Sequence, residues 1–350
     1  MNKSALVYKG GLWVMNNIVN INQAATQAAA TPVAPAASHV VRAEGPHPIA
    51  SGNVPKTYTP APHKPYVAPA PYVKPDPFDT MPKELCFEIG FQDTLVASKK
   101  YVVDTTACNT LDVVRSSYTP VSHKAFFDPV VAAIKKQFTV ANLSDAKVEW
   151  GTAKDCCFAI MDVKLPSISR VIMSKKKQIE LCQRVVAAHS IDDSCPDLFM
   201  LGAVDTRSQH KQYAIQHSKV WQRHKNFAAE HVTDQLKVAE LEFDAHCNTI
   251  QGWVLHDITA FTAKTVIENT VQTSKFSERL YAQYLREANA IGHNVYALYR
   301  TFTAYASLPT ALNGFEVKAL GKLNAAAIMF QRELKVMEWV SGQPFVELTQ

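Results

Sequence analysis

The sequence predicts an α+β protein: a disordered N-terminal arm rich in proline and alanine, a mixed, mainly antiparallel sheet with flanking helices, and a helical C-terminal half. Three observations carry this. Thirteen of the nineteen prolines fall between residues 23 and 82. Period-two alternation of apolar residues, the mark of half-buried strands, recurs between Leu85 and Val204. Beyond Phe227 apolar residues instead return at three- and four-residue steps, the mark of amphipathic helices. Strands with one or two helices, followed by helices alone, is an α+β order rather than a doubly wound alternation. The expected division is an arm over 1–82, a sheet domain over 83–227 and a helical region over 228–350 packed on that sheet domain.

The arm opens with the alanine-rich run Gln23 to Ala37 and continues through closely spaced prolines from Pro46 to Pro82. Proline fixes φ and removes a donor, so neither helix nor sheet propagates there. Too few large apolar residues are present to offset the entropy of ordering. Tyr58, Tyr66 and Tyr72 would anchor a protein partner if the arm docks; otherwise it is a tether. Met15 is as plausible a start of translation as Met1.

In the sheet domain, Leu85–Phe91, Thr94–Asp104 and Leu111–Arg115 read as strands. Asp128-Pro129 reads as a helix start, with aspartate as cap and proline in the first turn. Phe127, Val130, Ile134 and Phe138 follow at helical spacing. Lys147–Gly151 and Cys156–Lys164 read as strands joined by a turn at 152–155, and Leu198–Val204 as a buried strand. Four helical runs are then expected. They are marked by Val232 to Ile250, by Val254 to Phe261, by Leu280 to Phe302 from a start at Ser277, and by Leu323 to Met337, with a break at Pro309 and Gly314.

Composition limits function. The chain of 350 residues has a formal charge of +5 and no apolar run long enough to span a membrane. Seven scattered cysteines, Cys86, Cys108, Cys156, Cys157, Cys182, Cys195 and Cys247, form neither a secreted disulfide pattern nor a CxxC motif. Reduced thiols in a cytoplasm are the simplest expectation. Cys182, His189 and Cys195 are metal-binding residue types, but their spacing fits no common zinc motif. Phosphate-cradling, zinc-protease and serine-hydrolase motifs are absent from the sequence, and twelve unclustered glycines do not suggest a nucleotide loop. His246-Cys247 and His256-Asp257 are adjacent pairs, which do not face each other on a helix. The sequence therefore points to no catalytic residues, no metal and no cofactor.

The clearest functional signal is basic. From Thr206 to Ala229 there is no aspartate or glutamate. The candidate nucleic-acid contacts are Arg207, Lys211, Lys219, Arg223 and Lys225 for phosphates, with Tyr213 and Trp221 stacking on unpaired bases. His210, His217 and His224 lie among them, and Arg170 with Lys175, Lys176 and Lys177 could extend the patch. The plainer alternative is a solvated face whose aromatics belong to the core.

The segment Val113 to Phe127, carrying Arg115, Tyr118, Pro120, Ser122 and His123, resembles a family of phage and plasmid-like proteins known as domain of unknown function 932. A two-strand unit after it and the aromatic helix Asn294–Thr303 extend the likeness in patches over roughly residues 85–305. One departure is clear. Where that family has Asn-Ser-His-Asp-Gly, this chain has Val204-Asp-Thr-Arg-Ser208. The resemblance implies a phage, prophage or plasmid origin and transfers no catalytic residue. Together these readings predict a non-enzymatic protein of a mobile element, in the cytoplasm of a bacterial host, that binds single-stranded nucleic acid in replication, recombination or transcription. Its other expected partners are further copies of itself and a protein taken up by the arm, with no membrane. The rival is a virion assembly protein tethered through the arm.

Overall fold

The computed structural model describes residues 5–9, 12–16, 75–213, 219–222, 229–309, 314–317 and 325–349. The chain divides into two compact units, residues 1–70 and 71–350. In the first, β1 (Ala5–Lys9) and β2 (Leu12–Asn16) form an antiparallel hairpin, with Ala5 opposite Asn16 and Lys9 opposite Leu12. Strands therefore stand where the expected arm begins. The proline-rich part of that arm, 17–74, lies outside the described residues.

In the second unit the described residues begin at Pro75, ahead of the expected start at 83. Phe78 is buried, Asp76 pairs with Lys135 at 2.6 Å, and Trp150 Nε1 donates to Thr80 at 3.2 Å. Two sheets follow. The smaller is a meander of β3 (Ile89–Asp93), β4 (Lys99–Asp104) and β5 (Asn109–Arg115). The larger runs in the order β10-β9-β8-β7-β6, with β11 also on β9. It comprises β6 (Lys147–Ala153), β7 (Phe158–Met173), β8 (Gln178–Ser190), β9 (Asp197–Asp205), β10 (Lys211–Tyr213) and β11 (Lys219–Gln222).

Alternation along the central strands sorts two cores. Ala159, Met161, Val163, Val185, Ala187, Phe199 and Leu201 meet α1 (His123–Gln137) and α3 (Ala229–Lys237). Phe158, Ile160, Val186, Ala188, Leu198 and Met200 meet the C-terminal helices. These are α4 (Ala239–Leu255), α5 (Ala260–Val271), α6 (Ser274–Ile291), α7 (Val295–Ser307), α8 (Ala325–Val340) and α9 (Gln343–Thr349). The helical half shares the sheet's core, and both lie within the unit of residues 71–350. The four-residue helix α2 (Val140–Leu143) links α1 to β6. Gly151 lets α8 lie close on β6: a Cβ there would stand 2.8 Å from that of Ala326.

Three local readings change. Helix α1 starts at His123 because Ser122 Oγ accepts from Ala125 N; Asp128 lies inside it, paired with Lys124, and Pro129 is interior. Strand β8, not expected from the sequence, is the central strand that pairs β7 with β9. The third helical run divides at Gly292, whose φ of +102° ends α6.

All seven cysteines are free thiols, with Cys86 and Cys108 exposed and Cys157, Cys182, Cys195 and Cys247 buried. Burial raises the thiols of Cys182 and Cys247 to about 11 and about 12. Titration of the native chain with a thiol reagent is therefore expected to give a fast phase from Cys86 and Cys108, and all seven only after unfolding. Among the described residues no group of three or more His, Cys, Asp or Glu is arranged to hold a metal, and no helix is long and apolar enough to cross a membrane.

Candidate nucleic-acid interface

Of the seven predicted contacts, Arg207 and Lys211 have described side chains, and these two differ in setting. Arg207 is exposed in the β9–β10 turn, where its own N–H and that of Ser208 donate to Asp205 Oδ1 at 2.9 and 3.0 Å. Lys211 is not a free surface cation. Its ammonium pairs with the buried Glu333 carboxylate of α8 and lies 3.8 Å from Asp162. Tyr213 stands opposite Gly202, Lys219 opposite Met200 and Trp221 opposite Leu198 in the strand register. Arg223 and Lys225 lie outside the described residues. The smaller patch is largely neutralised: Arg170 makes a two-pronged pair with Asp244, Lys175 pairs with Asp257, and Lys176 donates to the Asn289 carbonyl at the end of α6.

Lys211 turns inward because the sheet buries charge. Asp162 on β7 and Arg184 on β8 share a strand face with Ile160 and Val186, so both point at the helical layer. Arg184 is 1% exposed and donates to both oxygens of Asp162, at 2.8 and 2.7 Å, and to both of Glu333, at 2.9 and 3.1 Å. One more cation closes the balance, and Lys211 supplies it. Burial raises the Asp162 carboxyl, but Arg184 outweighs that and holds it below the usual carboxylate range.

His210 serves a second network. It lies 3.4 Å from Glu287 and 3.1 Å from the Thr303 hydroxyl. Arg300 donates to Glu287 and to Asp205, each at 2.8 Å. Burial works against the Glu287 charge, yet His210 and Arg300 hold its carboxyl at about 2. The absence of carboxylates from 206–229 thus partly reflects where the partners sit, on α6, α8 and β7.

Among the described residues, a surface that combines free cations with an aromatic is the three-stranded sheet. Tyr101 stands opposite both Gln92 and Val113, and Lys99 opposite Arg115. Alternation puts these five residues on one face, all exposed, and none is a carboxylate. The opposite face carries Val102 and Val114, which pack with Phe87, Tyr118 and Ile191. Lys99 and Arg115 form no ion pair among the described residues, unlike Arg170, Lys175 and Lys211. At the hairpin end Lys100 stands 3.9 Å from the Phe91 ring centre, and Leu95 and Val96 are exposed in the turn. Directly opposed residues of an antiparallel pair have Cβ atoms about 4.5–5.5 Å apart. Two cations and a phenol therefore sit within the reach of neighbouring nucleotides.

Comparison with protein-family models, curated proteins and solved structures finds no match.

The remaining residues of the Arg115–His123 segment hold the fold. Tyr118 donates to the Ser190 carbonyl at 3.3 Å, Ser122 caps α1, and His123 is fully buried. Sequence reasoning passed over Lys99 and Tyr101 as surface candidates, although their i, i+2 spacing in a strand places both on one face.

Proposed function

We propose that this chain binds single-stranded nucleic acid without catalysing a reaction on it, and that the outer face of β3–β5 is the contact surface. The observation that supports this is the acid-free cluster of Lys99, Arg115 and Tyr101. Ammonium and guanidinium groups neutralise phosphates, and an exposed phenol offers a stacking surface that any base can use. Arg207, free at the far turn, is a candidate second phosphate contact. A phage or plasmid origin and a bacterial cytoplasmic setting belong to the same proposal and rest on the sequence resemblance and thiol usage.

Fluorescence anisotropy of labelled single-stranded DNA and RNA with the full chain, over a salt series, tests this. Each phosphate contact contributes about −0.7 to the slope of log affinity against log salt. Lys99→Ala with Arg115→Ala is expected to flatten that slope by roughly 1.4. Tyr101→Ala is expected to cost about 1–3 kcal/mol with the slope unchanged. Wild-type protein without salt-sensitive binding, or a double variant with an unaltered slope, would sink the proposal and move the reading to virion assembly.

A further inference from the structure

Beneath the three-stranded sheet two histidines meet. His123, at the start of α1, and His189, near the end of β8, are each 0% exposed, and their Nδ1 atoms lie 2.8 Å apart. The other nitrogen of His123, Nε2, lies 2.7 Å from the Cys156 carbonyl oxygen. A carbonyl oxygen only accepts, so that nitrogen carries the hydrogen. Neutral His123 then presents a bare Nδ1, which accepts from the N–H of His189. A single proton added to His123 can still be accommodated if His189 shifts its own hydrogen to Nε2, beside Asp197; once both rings are doubly protonated, two N–H groups face each other across 2.8 Å and the contact does not persist.

The pair is tied to the sheet above it. The His123 ring packs edge-on against Phe87 at 5.9 Å, and Phe87 belongs to the small cluster of Val102, Val114, Tyr118 and Ile191 on which β3–β5 rest. Further ties are the Tyr118 bond to Ser190 and a Cys157 thiol bond to the Leu111 carbonyl at 3.6 Å. The carbonyl that His123 holds lies in a turn where Lys154, Asp155 and Cys156 all have φ between +52° and +66°. Three consecutive non-glycine residues in that region store strain, which persists only while the surroundings enforce it.

We propose that the His123–His189 contact is a proton-operated latch that seats the β3–β5 sheet on the large sheet, closed at neutral pH and released by acid. Its consequence for nucleic-acid binding rests on the function proposed above; the latch itself does not. The charged groups that bear on the pair are Asp192, itself paired with Lys154 at 2.8 Å, and Asp197 on β9, 3.7 Å from His189 Nε2; the other neighbours are the Cys156 carbonyl and the rings of Phe126 and Phe127. Burial lowers the His123 ring to about 4, against the Cys156 carbonyl bond and Asp192, which both favour its proton. The open form accepts a proton below about 6.5, so the closed form loses ground as pH falls from there towards 4.

Hydrogen exchange of the full chain, followed by mass spectrometry without nucleic acid and corrected for intrinsic rates, decides the matter. Between about pH 7 and pH 4.5, amides of residues 87–118 are expected to lose protection by roughly tenfold or more, while β7–β9 stay protected. His123→Gln offers an N–H and an acceptor oxygen without titrating, and should erase that change. Unchanged protection of 87–118, simultaneous opening of the large sheet, or a His123→Gln chain that keeps the pH dependence each overturns the latch. If that variant does not fold, the wild-type imidazole signals decide. Titration of His123 together with the loss of protection supports the latch, and titration apart from it refutes it. A chain that binds no nucleic acid can pass or fail every arm.

Discussion

Arg184→Met is expected to destabilise the second unit by about 3–5 kcal/mol, because it leaves Asp162 and Glu333 buried with only the Lys211 ammonium between them. At roughly 2–4 °C per kcal/mol for a body of this size, the melting temperature should fall by about 10 °C or more. Arg184→Lys keeps the charge but loses the planar fork that serves both carboxylates, so it should fall in between. The informative comparison is a chain in which Arg184→Met, Asp162→Leu, Glu333→Met and Lys211→Met are combined. Buried ion networks lose in desolvation much of what they gain in attraction, so the combined change should cost less than Arg184→Met alone. Denaturant melts of the two chains check this. A combined variant weaker than the single one would mean that the network contributes net stability rather than mutual compensation.

That prediction also shows what the sequence conceals. Strand alternation, the proline-dense segment and the helical periodicity are local, so the fold class was legible from them. Strand β8 was not, because its stretch from Gln183 to His189 mixes polar and apolar residues while both of its faces are buried. The start of α1 was misplaced because Asp128-Pro129 carries a strong local signal, while Ser122 six residues earlier already caps the helix. Lys211 and His210 read as surface cations because their partners Glu333 and Glu287 lie 122 and 77 positions away; no window of sequence joins them. The contact of His123 with His189 spans 66 positions and is equally invisible. The outer face of β3–β5 was within reach, since register follows from a meander, but three short strands carry less weight than a long basic run.

Acid should reveal a second buried histidine that no partner stabilises. His246 on α4 is 6% exposed, lines a small hollow with Gln183, Leu201 and Phe243, and its Nε2 has no protein hydrogen-bond partner among the described residues. Burial alone depresses its ring to about 4. The sign follows directly. The unfolded chain binds a proton below about 6.5 and the folded chain refuses it until about 4, so stability is intact above 6.5 and drains as pH falls through that window. The stability at stake is on the order of 3 kcal/mol, most of it lost by about pH 4. His246→Leu, similar in volume and free of a buried polar atom, is expected to melt at the same temperature as wild type or higher at neutral pH. Between neutral pH and pH 4.5 it should lose roughly 5–10 °C less than wild type. The residual acid slope belongs to His123 and His210, whose rings burial also depresses. Melting curves of both proteins across the window are the measurement. Parallel curves would show that His246 is protonated or solvated in the folded chain, and that burial at this position is not what keeps the ring neutral.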